Sequence, residues 1–164
     1  MTPLLAVLLA LLPAPAPLAV PVFGWPVESP RVVRAFDPPA QPWLRGHRGV
    51  DLSVPPAAPV HSAGAGLVVY AGRLVGRGVV SVLHANGLRT TYEPVTSTLE
   101  VGDRVGSGQL IGVVEAGHPG CPATACLHWG LRRGEQYLDP LALLGLGRVR
   151  LLPLDEGRPD APAS

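Results

Sequence analysis

From Val60 onward, β-branched and aliphatic residues come in short runs cut by glycine: GLVVYAG, GVVSVLHANG, LRTTYEPV and VGDRVGSGQLIGVVEAG. Runs of this length, bounded by Gly, Asn-Gly and Asp and without a sustained helical period, predict hairpin-rich antiparallel strands. Asn86-Gly87, between SVLHA and LRTTY, is the strongest turn signal and predicts that these two runs pair. A two-residue type I′ turn there needs positive φ at both central positions. Gly102-Asp103 and Gly106-Ser107-Gly108 read as further turns and not as a phosphate cradle, since no helix signal follows them. Asp139-Pro140-Leu141 opens LDPLALLGLG with a capping carboxylate and a proline at the first helical position, predicting one short helix. The expected fold class is mainly β, over residues 23–146.

Nearly half of the 164 residues are apolar, enough for one core and too few residues for two ordinary domains. Twenty glycines and twenty prolines are spread among the Val/Leu runs, which fits many turns better than one low-complexity tract. All 13 basic residues are arginine, against 12 acidic ones. With no field of a single sign, long-range attraction to nucleic acid or to an anionic membrane is excluded. Residues 1–20 carry no charged side chain, and Leu4 to Leu12 is an apolar run of signal-peptide length, so a secreted or cell-envelope location is expected. Pro13, Pro15 and Pro17 interrupt the run before the roughly 20 apolar residues of a spanning helix, and a retained N-terminal anchor is the alternative. Residues 150–164 end in a polar, Pro-rich stretch that reads as a disordered tail.

His47 and Asp51 stand four residues apart in HRGVD, and Cys126 and His128 two apart in CLH. In a strand, positions i and i+2 share a face, so residues 126 and 128 point to one site while Leu127 turns to the core. Zinc takes imidazole nitrogen and carboxylate oxygen, and a catalytic zinc keeps three protein ligands and one open position. His47, Asp51 and His128 would supply that number, although each alone equally fits a structural or surface residue. Cys121 and Cys126 are the two cysteines of the chain. In an exported protein they read first as a local disulfide, with a Cys126 thiolate closing the metal site as the alternative. His61 and His84 lie beside turn signals and read as surface residues. His118, in AGHPGCP, reads as a solvated loop histidine or, alternatively, as a base folded over the metal. Trp129 follows a ligand and fits either a groove lining or the core.

Taken in order, FGWPVESPRVVRAF, GHRGVDLSVPPAAPVHSAGAGLVVYAG, GVVSVLHANGLRTTYEPV, VGDRVGSGQLIG and CLHWGLRRGEQYLDPLALL resemble the lysostaphin/LytM-type zinc metalloendopeptidases, which cut peptide bonds in peptidoglycan. The resemblance runs from Phe23 to Leu144. It implies an antiparallel β-sheet sandwich with a short C-terminal helix, and zinc as cofactor. It also implies His47, Asp51 and His128 as metal ligands, from the family's H-x-x-x-D motif and the second histidine of its terminal H-x-H. Two positions depart from the pattern. The first histidine of H-x-H is Cys126 here, and the catalytic histidine two residues after a strand-end tyrosine is Pro94, in Thr90-Thr91-Tyr92-Glu93-Pro94. In that mechanism zinc polarises the scissile carbonyl while imidazoles move protons. General acid–base help is worth roughly a hundred- to ten-thousand-fold, and proline cannot give it. Glu93 adjoins the lost position, but alternation sends it to the face opposite residue 94; His118 is the remaining substitute.

The expectation is therefore an exported LytM-type domain directed at peptidoglycan stem or cross-bridge peptides. Its zinc site is retained and its hydrolysis weak or absent, and it acts by binding or by regulating a cell-wall hydrolase. The alternatives are a working zinc endopeptidase that recruits other proton-transfer groups, and a structural exported domain with an empty site.

Overall fold

The computed structural model of the chain describes residues 22–41 and 43–147; the expected leader and tail lie outside the described residues. The strands are β1 (Arg31–Arg34), β2 (Gly49–Val54), β3 (Pro59–His61), β4 (Gly66–Leu74), β5 (Arg77–His84), β6 (Leu88–Glu93), β7 (Val95–Thr96), β8 (Arg104–Val105), β9 (Leu110–Val114), β10 (Ala125–Arg133) and β11 (Gln136–Leu138). They form a large sheet in the order β1-β2-β10-β6-β5-β4-β8, with β11 also pairing β10, and a three-stranded sheet β3-β9-β7. Every strand pair is antiparallel. Among the described residues no helix is long and apolar enough to cross a membrane.

Strand alternation separates core from site. On β2, Val50, Leu52 and Val54 enter the main apolar cluster, and on β10 Ala125, Leu127 and Trp129 do the same, joined by Val80 and Val82 of β5 and Tyr92 of β6. The intervening residues Asp51, Cys126, His128, Gly130 and Arg132 therefore share the opposite face of the large sheet. Trp129 belongs wholly to the core: it is fully buried and packs at 6.0 Å, centroid to centroid, on Trp25. Burying a side chain of that size at a strand centre contributes on the order of 3 kcal/mol, which pins β10 in its register between β2 and β6.

The turns redistribute what the sequence suggested. β5 and β6 pair, but through residues 85–87: the Gly87 N–H donates to the His84 carbonyl at 3.0 Å. Within this loop only Gly87 has positive φ, 77°. This is a bulged three-residue hairpin in place of the expected type I′ turn at Asn86-Gly87; the Asn86 side chain instead accepts from the Leu88 N–H at 3.2 Å. The type I′ geometry occurs at Val75-Gly76, between β4 and β5, with φ of 49° and 81°. A β-branched residue is disfavoured there, so no composition signal marks it. At the other end, Asp139 accepts from the Leu141 N–H at 3.0 Å and Pro140 opens a five-residue 3-10 helix, Pro140–Leu144, closed by left-handed Gly145.

Candidate metal centre and groove

His47 sits in the loop before β2, tied to Asp37 by two backbone hydrogen bonds of 2.9 and 2.6 Å. Two residues on, Gly49 begins β2 where no other side chain fits. A Cβ there would lie 2.5 Å from the Trp129 carbonyl oxygen and 2.7 Å from His128 Nε2. In the β2–β10 ladder His128 is the direct partner of Asp51, so the register itself brings imidazole and carboxylate together. Single ligand atoms of His47, Asp51 and His128 all lie within 4.8 Å of one another.

The hydrogen bonding defines which atoms face inward. His47 Nδ1–H donates to the Ala35 carbonyl at 2.7 Å, which leaves the Nε2 lone pair of the neutral ring pointing at Asp51 Oδ1 (2.9 Å) and His128 Nδ1 (3.1 Å). His128 Nδ1 is itself 2.8 Å from the same Oδ1. Lone pairs converging at these distances repel unless a cation or a proton lies between them. Asp51 is completely buried, and its Oδ2 has no hydrogen-bond partner among the described residues, so half of a buried anion is uncompensated by protein. The two-nitrogen, one-oxygen donor set and the carbonyl-anchored histidine match what zinc takes; the residues fit the ion. Burial pushes the Asp51 carboxyl up, but with protons between these atoms the hydrogen bonds from His118, His128 and His47 outweigh it and hold the group well below the usual carboxylate range.

His118 is part of this cluster and not a solvated loop residue. Its Nε2 lies 3.2 Å from Asp51 Oδ1, its side chain is only 11 % exposed, and its ring is 5.8 Å from that of His128. With Nε2–H donating to the carboxylate, the lone pair is left on Nδ1, which is buried without a partner among the described residues. The loop carrying His118 is joined to β10 by a Cys121–Cys126 disulfide with S–S 2.03 Å, so Cys126 Sγ is bonded to sulfur and is not a thiolate facing the site.

Residues 93 and 94 exchange the faces expected of them. Glu93 is the ladder partner of His128, which puts it on the site side of the sheet, where it accepts from Arg77 Nε at 2.8 Å. Pro94 is buried, and its carbonyl accepts from the Glu115 N–H at 3.0 Å. Counting alternation from Tyr92 cannot reveal this, because the register against β10 decides it. His84, expected on the surface, is buried: its two ring nitrogens lie 2.9 Å from the Ala65 carbonyl and from Thr90 Oγ1. His61 is half-buried. From the metal centre a groove of about 590 Å³ runs along β10 and β6, and its lining includes Arg89, Arg132 and Tyr137. Sequence reading passed over these three, because arginine was the sole basic residue type and carried no visible pattern.

An antiparallel β scaffold holding a buried His/Asp/His cluster at the head of a groove defines a metallopeptidase-type domain of the lysostaphin/LytM kind. The chain belongs to peptidase family M23, whose model matches residues 45–140; the family is zinc-dependent and acts on peptidoglycan peptides. An uncharacterized protein of Mycobacterium tuberculosis is 52 % identical over 141 residues, covering 82 % of this chain and 57 % of the relative. The DD-carboxypeptidase/endopeptidase Mpg of Neisseria meningitidis serogroup B is 31 % identical over 100 residues, 60 % of this chain and 23 % of that one. The chain thus spans little more than half the length of its mycobacterial relative and less of Mpg. The solution structure of lysostaphin covers 80 % of this chain and 57 % of its own at 23 % identity and a TM-score of 0.57, a likeness of fold alone.

Proposed function

We propose that this domain binds zinc through His47, Asp51 and His128 and engages peptidoglycan peptides in the cell envelope with little or no hydrolytic turnover, acting as a binding or regulatory module toward a cell-wall hydrolase. The observation that supports it is a zinc-fitted ligand set with no imidazole at the two positions where the family places proton-moving ones, which here are Pro94, turned away from the groove, and disulfide-bonded Cys126. Zinc bound there supplies Lewis-acid polarisation of a peptide carbonyl. The chain's own residues orient it: Ala35 fixes the His47 ring, the β2–β10 register fixes Asp51 against His128, and Arg77 holds Glu93, the ladder partner of His128.

A second reading, the active zinc endopeptidase, is favoured by His118, whose Nδ1 lone pair lies beside the centre and can hold a proton. Zinc analysis of the purified full chain alongside muropeptide release from peptidoglycan separates the two. The binding reading expects bound zinc, retention on peptidoglycan, and release near background. Release at ordinary enzymatic rates, abolished by both His128→Ala and His118→Ala, would replace it with the endopeptidase. A chain without zinc affinity would sink both.

A further inference from the structure

On the floor of the groove, successive ladder pairs run His128 with Glu93, Gly130 with Thr91, and Arg132 with Arg89. These six residues share one face of the sheet, and at ~3.3 Å per residue the arginine pair lies about 13 Å from the ligand pair. Gly130, in between, leaves that floor low. The groove is unevenly charged: Arg34, Arg48, Arg77, Arg89 and Arg132 line it, and Glu93 is the single carboxylate among the described lining residues. Arg77 already neutralises Glu93 at 2.8 Å.

Arg89 is the residue whose environment the protein leaves unexplained. It is half-buried, its Nε is buried with no hydrogen-bond partner among the described residues, and its neighbour across the ladder is another arginine. Burial and the Arg132 charge both depress its affinity for its proton, and the attraction of Tyr137 and Glu135 offsets this only in part. A partly desolvated cation with an unbonded Nε beside a like charge is destabilising on its own, and retaining one at the end of a groove points to an anion that completes it. Arg132 is held beside it. Its guanidinium lies over the Tyr137 ring at 5.5 Å and is bonded to the Gly134 carbonyl at 2.6 Å. Its one carboxylate partner, Glu135, is 98 % exposed and forms a weak, exchangeable pair. Two guanidinium groups carried on paired ladder positions can take the two oxygens of a carboxylate once the exposed Glu135 is displaced.

We propose that Arg89 and Arg132 form a carboxylate-recognising subsite at the end of the groove away from the metal centre. The peptide bound there carries a free carboxylate a few residues from the group held at His47, Asp51 and His128. This rests on the peptide-directed reading above and narrows its ligand to an anionic peptide. About four extended residues span the interval at ~3.3 Å each.

The test uses the full zinc-loaded chain and a fluorescent stem pentapeptide ending in D-alanyl-D-alanine. The peptide is presented as the free acid, as the C-terminal amide, and with its side-chain carboxylates amidated. Binding to the wild type is expected to weaken about tenfold or more in one amidated form, and the form that weakens identifies the carboxylate. Arg89→Gln should weaken the free acid by a similar factor, leaving the amidated peptide and separately measured zinc affinity unchanged. Arg132→Gln serves as the second variant should the first not fold. Equal binding of all three peptides to the wild type would overturn the subsite while leaving the peptide-directed function standing. So would an equal loss for acid and amide in both variants. Inorganic phosphate competing as well as the free acid would overturn it in favour of a phosphoryl ligand, and failure of every peptide to bind the wild type would sink both readings.

Discussion

Asp51 remains an anion in a fully buried position because three imidazoles face its Oδ1 at 2.8 to 3.2 Å, which outweighs the burial that would otherwise protonate it. The arrangement tolerates almost no added volume. In Gly49→Ala the new methyl would sit 2.5 Å from a backbone oxygen and 2.7 Å from His128 Nε2. The expected outcome is a loss of about 1–3 kcal/mol in denaturant unfolding, together with a fall in zinc affinity of roughly tenfold or more as His128 is displaced. A chelator-competition titration measures the second effect. His84 supplies a separate pH dependence. Burial holds its pKa below the ordinary value, only partly offset by its hydrogen bond to the Ala65 carbonyl. A histidine that stays neutral when folded lets the unfolded chain gain its proton first, so its contribution to stability is full above about pH 6.5 and is lost as pH falls toward the lower folded pKa. Unfolding of the metal-free protein between pH 8 and pH 5 should show this decline in the wild type and a shallower one in His84→Gln. That variant should also be about 1–3 kcal/mol less stable at pH 8, from the buried hydrogen bonds it disrupts.

At the level of elements, β10 is the strand on which everything depends. It pairs with β2, β6 and β11, sends Trp129 into the core, and carries Cys126, His128 and Arg132 on the groove face. The Cys121–Cys126 bond ties the loop before it, so that His118 reaches Asp51. Closing so short a loop removes about 2 kcal/mol of chain entropy from the unfolded state. The double variant Cys121→Ser with Cys126→Ala is therefore expected to lose roughly that much stability. Hydrogen exchange over residues 116–124 should rise in the same variant while β2 and β6 stay protected. Unchanged exchange in that loop would show that hydrogen bonding alone holds His118 in place.

For the whole molecule, the cluster of His47, Asp51 and His128 joins the loop before β2 to β10 within the large sheet, so an ion bound there would restrain distant parts of the chain. Zinc that binds only the folded form adds about 2.7 kcal/mol at a hundredfold excess over its dissociation constant, and a melting rise of roughly 5–15 °C follows for a domain of this size. Thermal melts with zinc and with chelator should differ by that amount in the wild type and not in His128→Ala. Much of this was legible locally. The Gly-bounded runs determined strands, because turn chemistry and period-two burial are properties of neighbouring residues. The H-x-x-x-D spacing and the C-x-H pair made His47, Asp51 and His128 candidates, which only the resemblance to the lysostaphin/LytM-type family joined into one ligand set, and Asp139-Pro140 marked the start of the last short helix. The pairing of strands was decided elsewhere. Register against β10, set by core side chains such as Trp129 and Tyr92, turned Glu93 into the groove and Pro94 out of it. It also set Arg89 across from Arg132, and the fold of the whole sheet buried His84. Each of these depends on residues far apart in sequence, whose positions are fixed only when the core packs, so no local pattern could carry them.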